Sequence, residues 1–387
     1  MVIKNISRSA VKILLPLLII AALVVPGGCA LGSGSSAGWS GVAVADGNLY
    51  FGSTGGELVA LEADSGINLW QIPFTTTGSV GLGCGASETA VAIYGTPAVD
   101  GELVYVAGNN GKIYALNTVA GASRWVYPRE GNLNSFTGGP VLDQGSLYIA
   151  SMGGIVYALD AENGDLIWQF EADDEIWATP AVVGDVLYIG TFNGKLYAVD
   201  TANGEAKWQQ PFETDGPIVS TPLVDNGIVY AGSFDRHIYA LDAVDGSLIW
   251  QFPDTEEAAS QPERWFWASP VIYNDVIYAP NMDGKVYLLD AASGSFVEAI
   301  DLENAISSAP VVAQGKVFVV TEEGDFFYID TEDNSKWEMP PLVEVSVTAP
   351  LTTDGNNVYI HSHQDEVIYA FSAESLSTLW SKPVSNE

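Results

Sequence analysis

Basic residues are scarce in this sequence, and their scarcity excludes several classes of partner. The chain has 14 Lys and Arg against 48 Asp and Glu in 387 residues, which gives a net charge of −34. The acidic residues are close to their ordinary abundance, so the imbalance comes mainly from the missing cations. A surface of this kind repels nucleic acid and anionic membranes. We therefore expect no nucleic-acid partner, and a free protein that stays monomeric.

Cysteine and histidine are rarer still, with two and three residues, which leaves few side chains for catalysis or metal binding. If Cys29 is acylated, Cys84 has no partner for a disulfide, and we expect Cys84 to be a buried, inert thiol; the alternative is a reactive thiol. His361 and His363 have strand spacing with carboxylates close by, so two imidazoles and a carboxylate are available for a metal. One short turn rarely brings all of its ligands to a single ion, and we predict no metal site there.

Catalytic and phosphate-binding motifs are missing as well. No glycine-rich loop follows a strand and opens a helix, and no helix is indicated anywhere. Adjacent carboxylates such as Asp173 and Asp174 fit solvated loops better than acid–base pairs. We therefore predict a protein that is not an enzyme, with no catalytic residues and no cofactor.

The start of the chain has the features of an export signal. Lys4, Arg8 and Lys12 form a positive start, and the apolar run that follows is too short for a comfortable membrane span. A small residue then precedes Cys29, a pattern that resembles a bacterial lipoprotein signal, although Pro26 stands where that signal usually has leucine. The alternative is an ordinary secretory peptide with an incidental cysteine.

These features predict three segments. Residues 1–28 are the lipoprotein signal peptide, residues 29–38 are a flexible Gly/Ser-rich tether that begins at a lipidated Cys29, and residues 39–387 form the folded domain. Removal of the signal leaves 11 basic against 48 acidic residues. The lipid on Cys29 is then the only predicted contact with a membrane.

The rest of the chain is built on a repeat, seen best in residues 179–208. Its apolar runs PAVV, VLYIG and KLYAVD and its final EAKW are separated by GD, FNG and TANG, which predicts four short strands and three tight turns. A single meander of this size cannot bury both faces of its own sheet, so it needs a copy of itself on each side.

The copies are marked by a proline, an aromatic residue eight positions later and a closing tryptophan. Six units keep the spacing of eight, beginning at Pro97, Pro140, Pro180, Pro222, Pro270 and Pro310. The unit with Pro350 and Tyr359 is one residue longer, and a unit near Val42 has Tyr50 but no proline. The closing tryptophans are Trp70, Trp125, Trp168, Trp208, Trp250, Trp337 and Trp380, and Glu298 takes this place in the remaining unit.

Eight units of about 40 to 55 residues with four strands each predict an all-β fold. The expected architecture is an eight-bladed β-propeller of four-stranded antiparallel blades, which closes on itself and leaves no long free edge. In Asp160–Gly164 and its equivalents the Asp caps backbone N–H groups and the Gly takes the left-handed conformation. The tryptophan four residues later is placed to wedge between neighbouring blades.

The motif YALDAxxGxxxW, present as Tyr157–Trp168 and Tyr239–Trp250, resembles the tryptophan-docking repeat of PQQ-type β-propellers. Two eight-bladed groups carry this repeat: the large quinoprotein alcohol dehydrogenases, and the smaller BamB lipoproteins of the outer-membrane β-barrel assembly machine. The resemblance covers about residues 40–384 and implies the fold. It says little about function, because the shared marks are structural.

The quinoprotein alternative implies an adjacent Cys-Cys pair beside the cofactor and extra segments around a funnel. This chain has no Cys-Cys and is too compact for such insertions. The resemblance therefore implies a BamB-like scaffold. A PQQ-dependent enzyme or sensor is one alternative, and a surface-layer or carbohydrate-binding propeller is the other.

One predicted face of the propeller gathers apolar side chains. Three connections between blades are enlarged, and they share a face with the turns between second and third strands. In four consecutive blades these turns carry Met152, Phe192, Phe234 and Met282, and in the others Thr54, Asn109, Glu322 and His363. The preceding connections add Trp177, Trp265 and Trp267. We predict that these seven apolar residues bind a partner; alternatively Trp177 and Trp267 only plug the channel mouth.

The sequence thus predicts an exported, lipid-anchored scaffold that holds protein partners at the cell envelope. Its place is the periplasmic face of an outer membrane, or the outer face of the cytoplasmic membrane in a cell with a single membrane. A further set of apolar residues recurs in the connections between blades and is predicted to be core: Phe136, Ile176, Ile218, Phe266 and Ile306.

Overall fold

The computed structural model describes residues 38–78, 87–254, 261–342 and 346–384. Within these ranges the chain contains 34 strands and no helix, and so no helix that could cross a membrane. Eight sheets have four strands each, taken consecutively along the chain, and a ninth sheet has two. The eight sheets are the antiparallel blades of a β-propeller, which confirms the predicted fold class.

The first four blades and one hairpin follow one another along the chain. Blade 1 contains β1 (Ala43–Ala45), β2 (Asn48–Gly52), β3 (Glu57–Glu62) and β4 (Asn68–Pro73), and the hairpin contains β5 (Thr75–Gly78) and β6 (Ser87–Ala90). Blade 2 contains β7 (Ala98–Asp100), β8 (Leu103–Gly108), β9 (Lys112–Asn117) and β10 (Ser123–Tyr127). Blade 3 contains β11 (Val141–Asp143), β12 (Ser146–Ala150), β13 (Ile155–Asp160) and β14 (Leu166–Glu171). Blade 4 contains β15 (Ala181–Val183), β16 (Val186–Gly190), β17 (Lys195–Asp200) and β18 (Phe212–Glu213).

The remaining blades repeat the same order. Blade 5 contains β19 (Leu223–Asp225), β20 (Ile228–Gly232), β21 (Ile238–Asp242) and β22 (Leu248–Phe252). Blade 6 contains β23 (Val271–Tyr273), β24 (Val276–Pro280), β25 (Lys285–Asp290) and β26 (Phe296–Asp301). Blade 7 contains β27 (Val311–Ala313), β28 (Lys316–Val320), β29 (Phe326–Asp330) and β30 (Lys336–Glu338). Blade 8 contains β31 (Thr352–Thr353), β32 (Asn357–Ser362), β33 (Val367–Ser372) and β34 (Ser377–Pro383).

Strand register explains the spacing of proline and aromatic residue. The proline lies directly before the first strand and the aromatic residue lies in the second, so that Ala181 pairs with Tyr188 in blade 4. In blade 8 the pair is Thr352 with Tyr359. Leu351 therefore takes the place of the proline there, which accounts for the one extra residue of that unit.

The hydrophobic core lies between blades. One cluster joins Val156 and Trp168 of blade 3 to Leu187 and Ile189 of blade 4, and similar clusters fill the other junctions. Burial of apolar area in these junctions is the main force that holds neighbouring blades together. The predicted core column is almost completely buried, at 1% exposure or less, which confirms Phe136, Ile176, Ile218, Phe266 and Ile306 as core.

Six repeat tryptophans dock onto the next blade, as predicted. Nε1 of Trp125 donates a hydrogen bond to the Ala161 carbonyl at 2.9 Å, and the Tyr105 hydroxyl donates to the same oxygen at 3.0 Å. A Cβ on Gly164 would lie 2.6 Å from the Trp125 ring, so the ring packs on bare backbone. Equivalent bonds of 2.8–3.2 Å are made by Trp70, Trp168, Trp208, Trp250 and Trp380.

Blade 7 lacks this docking on both sides. Blade 6 has Glu298 at the position of the docking tryptophan. Trp337, the tryptophan of blade 7, is 55% exposed, and its Nε1 donates to Ser335 Oγ at 2.9 Å. The prediction that Trp337 wedges between blades is therefore wrong. Where no indole packs, the turn glycine is also missing, and Asn334 and Leu376 hold the left-handed conformation at φ values of 60° and 55°. Leu376 instead packs against the core cluster of blades 7 and 8.

The ring closes between blades 8 and 1 through side chains, because each blade is made of consecutive strands and none is shared. Trp380 Nε1 donates to the Ala63 carbonyl at 3.0 Å, and Thr352 Oγ1 donates to the Val42 carbonyl at 2.5 Å. A hydrophobic cluster spans the same junction. The junction thus uses the same contacts as the junctions between consecutive blades.

Two elements differ from the sequence expectation. EAKW does not form the outer strand of blade 4, where only an isolated bridge joins Val199 to Ala206 and β18 follows later. Four positions separate Trp208 from Phe212, against two between the equivalent residues of blade 3, and Pro211 has no N–H to donate to the ladder. The long connection between blades 1 and 2 also contains the β5–β6 hairpin, which the sequence did not predict.

Candidate functional site

The turns between second and third strands present a side chain at the same place in every blade. In four blades that residue is Met152, Phe192, Phe234 or Met282, and its backbone N–H donates to a carbonyl of the connection preceding its blade. The distances are 2.9 Å from Met152 to Ser135 and 2.8 Å from Phe192 to Glu175. This bond fixes each turn against the connection, so the predicted equivalence of the four positions is correct.

The predicted tryptophans pack on these turn residues. Trp177 lies with its ring centroid 4.9 Å from that of Phe192. Phe234 stacks between two indoles, with centroids 5.6 Å from Trp265 and 5.5 Å from Trp267. The Met282 N–H donates to the Trp265 carbonyl at 3.2 Å, which links this stack to blade 6. The structure therefore brings these residues together in two aromatic groups. We call the seven residues Met152, Trp177, Phe192, Phe234, Trp265, Trp267 and Met282 the aromatic rim.

The aromatic rim is half-buried. None of its members is among the exposed large apolar residues, and each has an intermediate exposure. The Trp265 Nε1 atom is buried without a hydrogen-bond partner. The side chains cover one another because aromatic faces attract and exclude water. The rim offers ring edges and partial ring faces to a partner. Its exposed apolar area is smaller than that of a freely exposed patch.

The stack of Phe234 bears on carbohydrate binding. In the carbohydrate-binding alternative a sugar would stack on Trp265 and Trp267, and each of these indoles has one ring face against Phe234. A sugar would have to use the opposite faces. No contact among the described residues favours that role over packing.

Two aromatic residues of this face were missed by the sequence reasoning. Trp39 and Tyr94 lie with ring centroids 4.4 Å apart, and Trp39 is 41% exposed. Trp177 and Trp267 stand three residues before the proline position of their blades, and so do Tyr94 before Pro97 and Trp39 before Val42. The missing proline of blade 1 hid this match. The name aromatic rim is kept for the seven residues that the sequence predicted.

The equivalent turn residues of the other four blades are polar, as predicted. The Thr54 N–H donates to Glu366 Oε1 at 2.6 Å, a bond from blade 1 to blade 8. His363 has a buried Nδ1 atom without a partner. The turn residues of this face are thus apolar in blades 3 to 6 and polar in the other blades, while Trp39 and Tyr94 add aromatic side chains before blades 1 and 2.

Histidines 361 and 363 do not form a metal site with any group that the structure describes. His361 is buried, with Nδ1 at 2.7 Å from the Ser40 carbonyl and its ring 5.0 Å from that of Phe51. No group of three or more His, Cys, Asp and Glu side chains in the described ranges could hold a metal ion. His361 instead joins blade 8 to the segment that precedes blade 1. Cys29 and Cys84 lie outside the described residues.

Acidic groups border the aromatic rim and are held in place by local partners. Burial raises the pKa of Asp173, but hydrogen bonds from Lys195, Tyr197 and Asn193 outweigh it and lower that pKa to about 2. The Asp173 Oδ1 atom accepts from the Tyr197 hydroxyl at 2.7 Å. Glu175 accepts from Trp177 Nε1 at 3.0 Å. Asp173 therefore stays ionised beside the rim and forms an ion pair with Lys195.

The sequence of the chain matches the profile of one known protein family. The profile of the family described as "Outer membrane protein assembly factor BamB" matches residues 20–171, 130–211 and 153–382, which together cover most of the chain. The chain belongs to this BamB family. No match was found among curated proteins.

Solved structures agree on the fold of this BamB-family chain. The crystal structure of BamB from Moraxella catarrhalis matches with a TM-score of 0.67 and 19% identity, over 85% of this chain and 92% of that one. The computationally designed Ika8 protein matches with a TM-score of 0.70 and 14% identity, over 87% and 96%. Because a designed protein shares the architecture, the fold alone does not determine the function.

Proposed function

We propose that this protein is a lipid-anchored, non-catalytic scaffold that binds protein partners at the cell envelope, in the manner of an outer membrane protein assembly factor. The aromatic rim is the observation that carries the proposal. Its members come from blades 3 to 6 and are held by turns that repeat the same hydrogen bond. A rigid propeller that presents such a rim suits recognition of a partner by shape.

The rim combines two kinds of binding side chain. Stacked aromatic residues lose little conformational entropy on binding, and methionine adapts its shape to what it contacts. Its carboxylate border favours a partner that pairs an apolar anchor with basic residues. Association should slow as salt is added, while release should depend mainly on the aromatic contacts.

A capture experiment tests the rim. The full chain, expressed with a tag in its own host, is crosslinked in native membranes and the captured proteins are quantified. We expect the double variant Phe192→Ser with Phe234→Ser to lose the partners of the wild type. The matched control is Val244→Ser, in the turn between third and fourth strands of blade 5, where Val244 is 83% exposed.

The melting temperature separates binding from folding. Phe234 lies between two indoles, so its replacement lowers stability somewhat, and a second double variant, Met152→Ser with Met282→Ser, guards against unfolding. Loss of the same partners in both double variants, with the control unaffected, supports the rim. A folded double variant that captures the wild-type partners in full amounts would place the site elsewhere.

Membrane attachment is tested at Cys29. We expect Cys29→Ser to release the protein from membranes into the soluble fraction, because one thioether-linked lipid group is the proposed anchor. Fractionation with and without detergent measures this. A variant that still partitions with detergent would contradict lipidation and leave the proposed partner-binding rim intact.

A further inference from the structure

A cavity of about 380 Å³ lies beside the turn between second and third strands of blade 5. Its polar lining includes Arg236 and His237 from the turn, Gln251 and Asp254 from the outer strand and its end, and Gln261 from the next connection. This volume lies at the small end of ligand pockets. The cavity shares its turn with Phe234 of the aromatic rim, but none of the rim residues lines it.

Arg236 stands at a turn position where six other blades have glycine and blade 8 has Glu366. Its φ is 76°, and the equivalent Gly154, Gly194 and Gly284 have φ values of 77°, 84° and 87°. This left-handed conformation is comfortable for glycine and strained for a residue with a long side chain. The turn would fold with less strain if position 236 were glycine.

Asp235 fixes the neighbouring imidazole and has no oxygen left for a ligand. Oδ2 accepts from the Tyr239 hydroxyl at 2.7 Å and from the Asp215 N–H at 3.1 Å. Oδ1 accepts from the His237 N–H at 2.9 Å and lies 3.3 Å from His237 Nδ1. With Nδ1 turned to this carboxylate, Nε2 is the ring nitrogen that remains for a ligand.

The cavity therefore offers hydrogen-bond donors to a ligand. Arg236 makes no ion pair with any residue in the described ranges, although the chain carries 48 acidic residues. The hydrogen bond and charge of Asp235 raise the pKa of His237, while burial opposes this shift. The raised pKa favours the imidazolium form. Arg236 and His237 are thus adjacent cationic hydrogen-bond donors, and Asp235 fixes the orientation of His237. Such a pair suits an anionic acceptor.

We propose that this cavity binds a carboxylate group, held by Arg236 and by Nε2–H of His237. The planar guanidinium donates two parallel bonds to a carboxylate, which suits that group in particular. Asp254 in the lining disfavours a doubly charged phosphate. The carboxylate belongs to a small organic acid or to an acidic side chain of a bound polypeptide. The proposal does not depend on the scaffold function, since it can be tested with the protein alone.

Calorimetric titration of the mature chain with glutarate tests the proposal, with glutaramide as its uncharged counterpart. We expect glutarate to bind, and glutaramide to bind at least about tenfold more weakly. Arg236→Gly should weaken glutarate binding at least about tenfold while leaving the melting temperature equal or higher, because the strain is relieved. Arg236→Lys should retain part of the affinity. Arg264→Gly, the same charge change on an exposed residue outside the cavity, should leave it unchanged.

His237 adds a dependence on pH. Binding should weaken as pH rises through the raised pKa of the imidazole, and His237→Gln should remove this dependence. Among the residues that the structure describes, the other charged or titratable groups around the ring are Asp235 and Arg236 in the turn, Tyr239 on β21, Asp254 after β22 and Asp215 before blade 5.

Peptides distinguish the source of the carboxylate. A Glu-containing peptide that binds at least tenfold more tightly than its Gln counterpart, and more tightly than glutarate, identifies an acidic side chain; no such gain identifies a small acid. The proposal is overturned if glutarate does not bind, if glutaramide binds equally well, or if Arg236→Gly binds glutarate like the wild type.

Discussion

At the scale of the residue, the docked tryptophan explains why the repeat has the form it has. The indole N–H needs an acceptor when buried, and the first carbonyl after the third strand of the next blade supplies it. The ring needs a flat surface, and the turn glycine of that blade supplies it. The docking tryptophan of one blade and the turn glycine of the next blade therefore occur together. Both are missing at the two junctions of blade 7.

The docked and undocked tryptophans give a direct comparison. Trp208 is 4% exposed and bonded to Ala243 at 3.2 Å, so Trp208→Ala should lower the free energy of unfolding by about 3–5 kcal/mol. Trp337 has the same place in the repeat and is 55% exposed, so Trp337→Ala should cost less than about 1 kcal/mol. Trp265→Ala, a half-buried rim residue, should cost clearly less than Trp208→Ala. Urea unfolding measures all three, and equal losses for Trp208→Ala and Trp337→Ala would contradict the docking account.

At the scale of the element, blade 7 is the least secured of the eight. Its outer strand β30 has three residues, and neither of its junctions contains an indole–carbonyl bond. Other contacts compensate in part: the Lys336 Nζ atom donates to the Asp301 carbonyl at 2.5 Å, and Phe326 packs on Phe371 with centroids 4.8 Å apart. Local opening should therefore begin at this blade, since local stability follows buried contacts.

Restoring the missing docking should stabilise the junction of blades 6 and 7. The double variant Glu298→Trp with Asn334→Gly recreates the indole and the bare backbone that other junctions have. We expect the free energy of unfolding to rise by about 1–3 kcal/mol. Glu298→Trp alone is the control, because the Asn334 Cβ stands where the ring must pack. An equal gain from the single change, or no gain from the double one, would show that blade 7 is held in another way.

At the scale of the whole molecule, the ring is closed by side chains across the junction of blades 8 and 1. His361 is part of that closure, with Nδ1 bonded to the Ser40 carbonyl and Nε2 buried without a partner. Burial lowers the pKa of His361 to about 4, although the bond to Ser40 and the charges of Glu366 and Asp365 oppose the shift. The folded protein thus keeps this imidazole neutral.

Acid should weaken the closed ring through His361. The unfolded chain takes up this proton near pH 6.5 and the folded chain only near pH 4, so stability falls as pH decreases between these values. The contribution is about 3 kcal/mol at its full extent. His361→Gln keeps a donor for Ser40 and cannot titrate, so the difference in unfolding free energy between wild type and variant should shrink from pH 7 to pH 4. A difference that is constant over this range would exclude His361 as the cause of the loss of stability in acid. The many carboxylates cannot produce a change in this difference, because they are present in both proteins.

Local pattern was enough to determine the fold, because the marks of the repeat act within one blade or between neighbours. The proline before the first strand, the aromatic residue paired across from it and the turn glycine each have a reason that lies within a few residues. Equivalence of Met152, Phe192, Phe234 and Met282 followed from the same register. Their use in partner binding stays a prediction, as do the role of Cys29 and the segment boundaries before residue 39.

Only the tertiary structure decided which side chains meet. Trp337 matches the repeat as well as Trp208 does, yet docking depends on the turn of the following blade, where Leu376 replaces glycine. Stacking of Phe234 between Trp265 and Trp267 likewise depends on the path of a connection whose register no repeat fixes. The sequence by itself determined the blade, because the period of the strand and the chemistry of the turn are local. The junctions, the closed ring and the burial of the rim were decided by packing between segments that lie far apart in the chain.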